Sequence, residues 1–180
     1  ISHGHVESLL QAGCKFIFYP CAPYEKKEDA GAGNHYNCPI VCSYPEVIKN
    51  NVEDLREKDI KFLNPFVSLD NLESVAAKLA NVFEYLGVTK EEAYAAVKAG
   101  EAEYKQYKED IRNKGKEVIK YLEEHNKKGI VLCGRPYHVD PEIHHGIPEM
   151  INQLGLAVLT EDSVATPGRL QRPIRVVDQW

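Results

Sequence analysis

This chain is poor in methionine, tryptophan and long apolar runs. Its 180 residues hold one methionine, Met150, and one tryptophan, Trp180. The longest apolar runs, near 129–133 and 156–159, fall far short of the ~20 residues a helix needs to cross a bilayer. A strong excess of either charge is also missing. Basic residues number 22 and acidic residues 27, mixed along the chain, for a net charge of -5. No basic patch of the kind that phosphate backbones require stands out, and the acidic balance disfavours an anionic membrane surface. Neither nucleic acid nor membrane is an expected partner. The sequence has no GxxxxGK[ST] phosphate loop, no three-glycine dinucleotide fingerprint and no Gly-x-Ser-x-Gly elbow, so none of those chemistries is expected. No secretory leader precedes the five cysteines, and their odd number suits a reducing cytoplasm better than a disulfide framework. Opening on Ile1 and closing on Val-Val-Asp-Gln-Trp180, the sequence reads as a piece of a longer protein.

Enough is present to build a core: hydrophobic residues make up 43%. His5 to Ala12 has apolar residues at helical spacing, with Gly13 as a stop. Lys15 to Pro20 is a near-continuous apolar run, the pattern of a strand covered on both faces in a parallel sheet. Residues 21–44, punctuated by Pro, Gly and Asn, read as one long loop. A short helix over Pro45–Asn51 and a strand over Ile60–Leu63 follow, the strand ended by Asn64-Pro65. Asp70 with Glu73 has the capping-box spacing and opens a helix whose apolar face runs from Leu72 to Leu86, closed by Gly87. Thr89 and Glu92 repeat that spacing ahead of a long charged segment reaching Lys127. There Val97, Tyr104, Ile111 and Val118 recur every seven residues, a narrow seam on a long helix that would break near Gly115. Too few heptads are present for a coiled coil, so packing along the domain edge is the expectation. Gly129 to Gly134 reads as a second buried strand. A loop, a helix ended by Gly155 and a strand over Leu156–Thr160 complete a parallel crossover unit. The expected fold class is α/β: two small Rossmann-like lobes with parallel sheets, over 1–66 and 127–180, joined by a helical segment over 67–126, the second lobe incomplete.

Chemistry concentrates at strand ends. Phe16-Ile-Phe-Tyr-Pro-Cys21 ends on a thiol, and Asn34-His-Tyr-Asn-Cys38-Pro39 puts another in the following loop. Soft thiolates suit iron–sulfur clusters, zinc or copper(I). The separation of Cys21 and Cys38 matches neither a zinc-finger pair nor a ferredoxin run, so residue type rather than spacing carries the expectation. Cys14 and Cys133 read as small buried hydrophobes, and Cys42 as a bystander rather than a spare ligand. Histidines form a second group. His3 and His5 flank Gly4, His35 lies in the cysteine loop, and His138, His144 and His145 cluster after the second strand. Glu142 and His145 have Glu-x-x-His spacing, which Gly146 and Pro148 weaken as a helical metal motif. A third group is Gly134-Arg135-Pro136-Tyr137-His138. Gly134 permits a tight turn, and Arg135 offers a planar fork to phosphate or carboxylate. The group stands at the carboxyl edge of a parallel strand, where open α/β proteins bind ligands.

The strings HGHVESLL, FIFYPC, EDAGAGNHYNCPIV, SYPEVIKNN, KFLNPF, GIVLCGRPYH, DPEIHHGIPEMIN and LGLAVLTED occur here in order. Together they resemble the large activase-related proteins associated with 2-hydroxyacyl-CoA dehydratases, over essentially the whole chain. The resemblance implies a domain that follows ATPase activator modules and is similar to the cluster-bearing dehydratase subunits. It implies that Cys21 and Cys38 are two of three cysteines on a 4Fe-4S cluster, with the third expected upstream of Ile1, so that this piece alone would not retain the cluster. His35 and Asn37 would supply hydrogen bonds to the cluster. Gly134, Arg135, Tyr137 and His138 would line a cleft between lobes. The implied chemistry is low-potential electron transfer towards an acyl-CoA or another reductase acceptor. Two other expectations stand beside it: a metal-free docking module for the ATPase domains, and a zinc site of Cys21, Cys38 and a histidine.

Overall fold

Parallel strand pairs organise the chain, and the computed structural model describes residues 1–27, 34–134 and 139–165. The described residues form two units of mixed α/β structure, one over Ile1–Ala99 and one beginning at Gly100. The first contains α1 (Ser2–Gln11), β1 (Phe16–Phe18), β2 (Cys21–Tyr24), α2 (Pro39–Asn51), α3 (Asp54–Glu57), β3 (Lys61–Leu63), β4 (Phe66–Ser68), α4 (Leu72–Val82) and the start of α5 (Lys90–Glu124). β1 pairs in parallel with β3, Phe16 opposite Lys61. β2 pairs in parallel with β4, Cys21 opposite Phe66.

These two pairs are one ladder interrupted by prolines. Pro20 and Pro65 have no N–H to give, which breaks the regular pattern. The N–H of Tyr19 still reaches Leu63 O at 2.8 Å, and that of Cys21 reaches Pro65 O at 2.9 Å. Two sequence expectations change here. Residues 21–44 are not one loop, because strand pairing resumes at Cys21. The helix expected from Pro45 begins at Pro39, where a missing N–H costs nothing, and runs on through a buried Pro45. Likewise a strand, β4, resumes directly after Asn64-Pro65.

The core of this unit follows from strand alternation. Ile17 points to the face covered by α1 and α2, where it is buried with Val6, Ile48 and Val52 and flanked by Leu10, Tyr19 and Phe62. Phe16 and Phe18 point the other way, towards Phe83 at the end of α4, with ring centroids 6.2 and 5.3 Å apart. Helix α4 buries Val75, Ala76 and Ala80. Its cap is Asn71, whose side chain accepts the Ser74 N–H at 2.9 Å, rather than the expected Asp70, which accepts the Ser68 hydroxyl at 2.7 Å.

The second unit contains the rest of α5, β5 (Gly129–Leu132), α6 (Ile147–Gln153), β6 (Ala157–Thr160) and α7 (Glu161–Val164). β5 and β6 are parallel, with Gly129 opposite Ala157, as the crossover pattern predicts. β5 is not the buried strand expected from its composition: Ile130 and Val131 remain 40% and 41% exposed, while Leu159 of β6 is buried. Helix α5 does not break at Gly115. The backbone of α7 approaches so closely there that a Cβ on Gly115 would stand 1.9 Å from Ser163 O. Glycine at 115 is a packing requirement rather than a stop. Among the described residues, no helix is long and apolar enough to cross a membrane.

Candidate cysteine site at the head of β2

Cys21 opens β2 and is completely buried. Its neighbours come from α2, which Cys38 caps and Pro39 begins. Helical spacing sets Cys42 and Glu46 one turn apart on the same side of α2. Burial pushes the Cys21 thiol up from its ordinary pKa, and the negative charges of Glu46 and Cys42 add to that. The Glu46 N–H and the Lys49 cation act in the opposite direction. Left to itself, then, Cys21 is a neutral thiol, and a bound thiophilic cation would have to drive its deprotonation.

The residues just before Cys38 run alongside β2. Tyr36 forms an antiparallel bridge with Tyr24, flanked by Glu25 N–H to His35 O and Asn37 N–H to Pro23 O, each 2.9 Å. β2 is thus held on one edge by β4 and on the other by residues 35–37. The Asn37 carboxamide donates to Ala22 O at 2.7 Å and to Glu25 Oε1 at 2.8 Å. His35 Nδ1 donates to Glu25 O at 2.7 Å, so that nitrogen carries a proton. The His35 and Tyr36 rings stack, with centroids 6.1 Å apart, and the Tyr24 ring lies 5.0 Å from that of Tyr36.

Cys42, read from the sequence as a bystander, lies one helical turn after Cys38. Its spacing from Cys38 predicts nothing unless α2 starts at Pro39. Once it does, the Cys42 N–H bonds to Cys38 O at 3.0 Å, and the sulfur lies close enough that its thiolate form would act on Cys21. The thiol itself donates to Pro39 O at 3.3 Å.

The second unit holds the other expected groups. Cys133 is exposed, not a buried hydrophobe, and Gly134 follows it at the end of β5. Arg135, Tyr137 and His138 lie outside the described residues. The histidine cluster separates by role. His144 is 8% exposed, and its Nδ1 accepts the Gly146 N–H at 3.0 Å, which makes it part of the turn before α6. Glu149 stands 3.6 Å from the same nitrogen, too far for a hydrogen bond and facing an atom already used as an acceptor. His145 is exposed, and Glu142 lies in the preceding turn, where its N–H bonds to Asp140 Oδ1 at 2.9 Å.

Cys21 and Cys38 suit a thiophilic group in kind: soft donors, one of them completely buried. They fall short in number. Among the described residues, no set of three or more His, Cys, Asp or Glu side chains is placed to hold a metal ion.

Residues 1–164 match the family model described as CoA enzyme activase uncharacterised domain (DUF2229). No curated protein and no solved structure matches the chain.

Proposed function

The chain belongs to the CoA enzyme activase uncharacterised-domain family, and on that footing we propose that it is the iron–sulfur, electron-transferring part of an activase serving a CoA-ester dehydratase or a similar reductase. Cys21 and Cys38 would hold a 4Fe-4S cluster with a thiolate from outside the described residues. Bound there, such a cluster supplies one electron at low potential. This chain's own residues bury one donor completely. They also set the second donor at the N-terminus of α2, whose partial positive charge favours an anionic group. What supports the reading is the set of Asn37 contacts, which fastens the residue before Cys38 to the residues that follow Cys21.

The test is the anaerobic iron and sulfide content of the intact protein after reconstitution. Uptake of both, lost in Cys21→Ser and in Cys38→Ser, is the expected result. No uptake in the parent, or uptake unaffected by either substitution, overturns the reading. Zinc in the protein as purified, lost in the same variants, would assign the site to zinc instead.

A second reading has its own support. Helix α2 exposes Ile40, Val41, Tyr44 and Val47 beside the cysteines, which suits a metal-free docking module for ATPase domains. Under that reading the intact protein takes up no iron, and charged substitutions at Ile40 and Val47 release the ATPase domains.

A further inference from the structure

Building on the proposed cysteine site, we propose that Asn37 is the positioning residue of the pair: its carboxamide clasps residues 35–37 to β2 and thereby sets where Cys38 stands relative to Cys21. The carboxamide donates one hydrogen to Ala22 O at 2.7 Å and the other to Glu25 Oε1 at 2.8 Å. The Asn37 backbone N–H adds a third bond, to Pro23 O at 2.9 Å. All three acceptors belong to the residues that immediately follow Cys21. Asn37 in turn immediately precedes Cys38, so the two cysteines are tied together through one peptide bond on each side of the clasp.

Chemistry restricts which side chain can do this. Both carboxamide hydrogens face oxygens, so turning the group over would set its oxygen against two other acceptors. The same reasoning leaves Asn37 no N–H for a cluster sulfur, and its part is geometric. Asp would replace two donors with acceptors facing the Glu25 carboxylate. Ala would leave only the backbone bond. From the other end, Glu25 N–H to His35 O at 2.9 Å and His35 Nδ1 to Glu25 O at 2.7 Å close the strip. Beyond Cys38 the chain enters α2, which the buried Pro45 and Ile48 anchor in the core. The clasp is therefore the adjustable half of the Cys38 position. Thiolate sites lose affinity when their donors are not held to within about half an ångström.

The experiment uses the intact protein, stripped of metal. Cadmium ion alone is titrated in, followed by the ultraviolet thiolate-to-cadmium charge-transfer band, and iron and sulfide are measured after reconstitution. Asn37→Ala is expected to bind cadmium about 10- to 100-fold more weakly than the parent, the usual cost of losing a partner that orients a ligand. Asn37→Asp should be at least as weak. Glu25→Gln keeps an oxygen for Asn37 and should match the parent. Should Asn37→Ala fail to fold, Glu25→Ala, which removes one of the three bonds, is expected to show a smaller loss in the same direction. Parent-like cadmium affinity in Asn37→Ala, or in Glu25→Ala where that variant is used, overturns the proposal. So does a loss that merely follows the thermal midpoint and appears equally in Glu25→Gln. The two readings fail separately. A parent that binds cadmium through Cys21 and Cys38, weakened by Asn37→Ala, yet takes up no iron and sulfide, overturns the cluster and supports the clasp. An Asn37→Ala protein that equals the parent in both metals overturns the clasp alone.

Discussion

The two units repeat one plan, a strand, a helix and a parallel strand, yet among the described residues the first covers its strands more deeply. Ile17 lies on β1 beneath α1 and α2, and the opposite face meets Phe83 after α4. In the second unit, β5 has an equally apolar sequence, but Ile130 and Val131 stay near 40% exposed. Helix α6 packs beside β6 and α7 beside both strands, and the buried side chains there are Leu122 of α5 and Leu159. Strand composition therefore does not determine burial. What determines it is whether flanking helices supply a stripe for each face. The candidate site follows that difference: Cys21, completely buried, lies in the first unit, whereas Cys133, exposed, lies beyond the less covered strand.

The largest expected effect sharpens this contrast directly. Ile48 is completely buried between α2 and β1, so Ile48→Ala should cost about 2–5 kcal/mol, lost contacts plus residual cavity. Val131→Ala should cost under about 1 kcal/mol, because much of the side chain is already in water. Denaturant unfolding combined with hydrogen exchange resolved by unit measures both. Equal costs would break the comparison.

Next in size is a reversal of sign along α5. Alanine normally improves a helix over glycine by about 0.5–1 kcal/mol. Gly100 has nothing within 4 Å of an added Cβ, so Gly100→Ala should gain that amount. At Gly115 the added Cβ would meet the Ser163 carbonyl at 1.9 Å, and backbone must move. Gly115→Ala should cost about 1–3 kcal/mol, as overpacking does. If both variants melt higher than the parent, the close approach of α7 to α5 is not what holds the second unit together.

These contrasts also show what the sequence makes legible. Helical periodicity, the glycine stops at Gly13 and Gly87, the Thr89–Glu92 cap and the crossover from β5 to β6 are local signals, and the structure contains them. What misleads is proline. Pro20, Pro39 and Pro65 make the region look like loop, and Pro45 looks like a helix start, because proline removes a donor. Yet neighbouring residues carry the ladder past each break, and Pro39 occupies the one helical turn where no donor is needed. The same error hides the site. Cys21 and Cys38 are visible as reactive residues, but the Asn37 contacts and the nearness of Cys42 depend on β2 and α2 extending towards each other. The choice of Asn71 over Asp70 as cap, and of Gly115 as contact rather than stop, likewise depends on which neighbour arrives in space.

The smallest expected effect lies at the start of α5, in the first unit, and tests whether a purely local signal behaves as one. The Thr89 hydroxyl accepts the Glu92 N–H at 3.1 Å, while the Glu92 carboxylate accepts the Thr89 N–H at 2.9 Å and its hydroxyl at 3.0 Å. Thr89→Ala removes the hydroxyl and should cost about 0.5–2 kcal/mol, at the low end on so exposed a helix start. The Thr89 N–H and hydroxyl hold the Glu92 carboxyl below its ordinary pKa. A lowered folded pKa means the ionised form stabilises the folded state. That stabilisation is present above the ordinary glutamate range and disappears as pH falls through the lowered value. Glu92→Gln keeps an oxygen for both donors but cannot titrate. Parent and variant should therefore differ in amide-exchange protection of the first turn of α5 at neutral pH and converge in acid. A difference that persists unchanged through the acid range would show that the charge of Glu92 contributes nothing to the cap, and that its shape alone closes the helix.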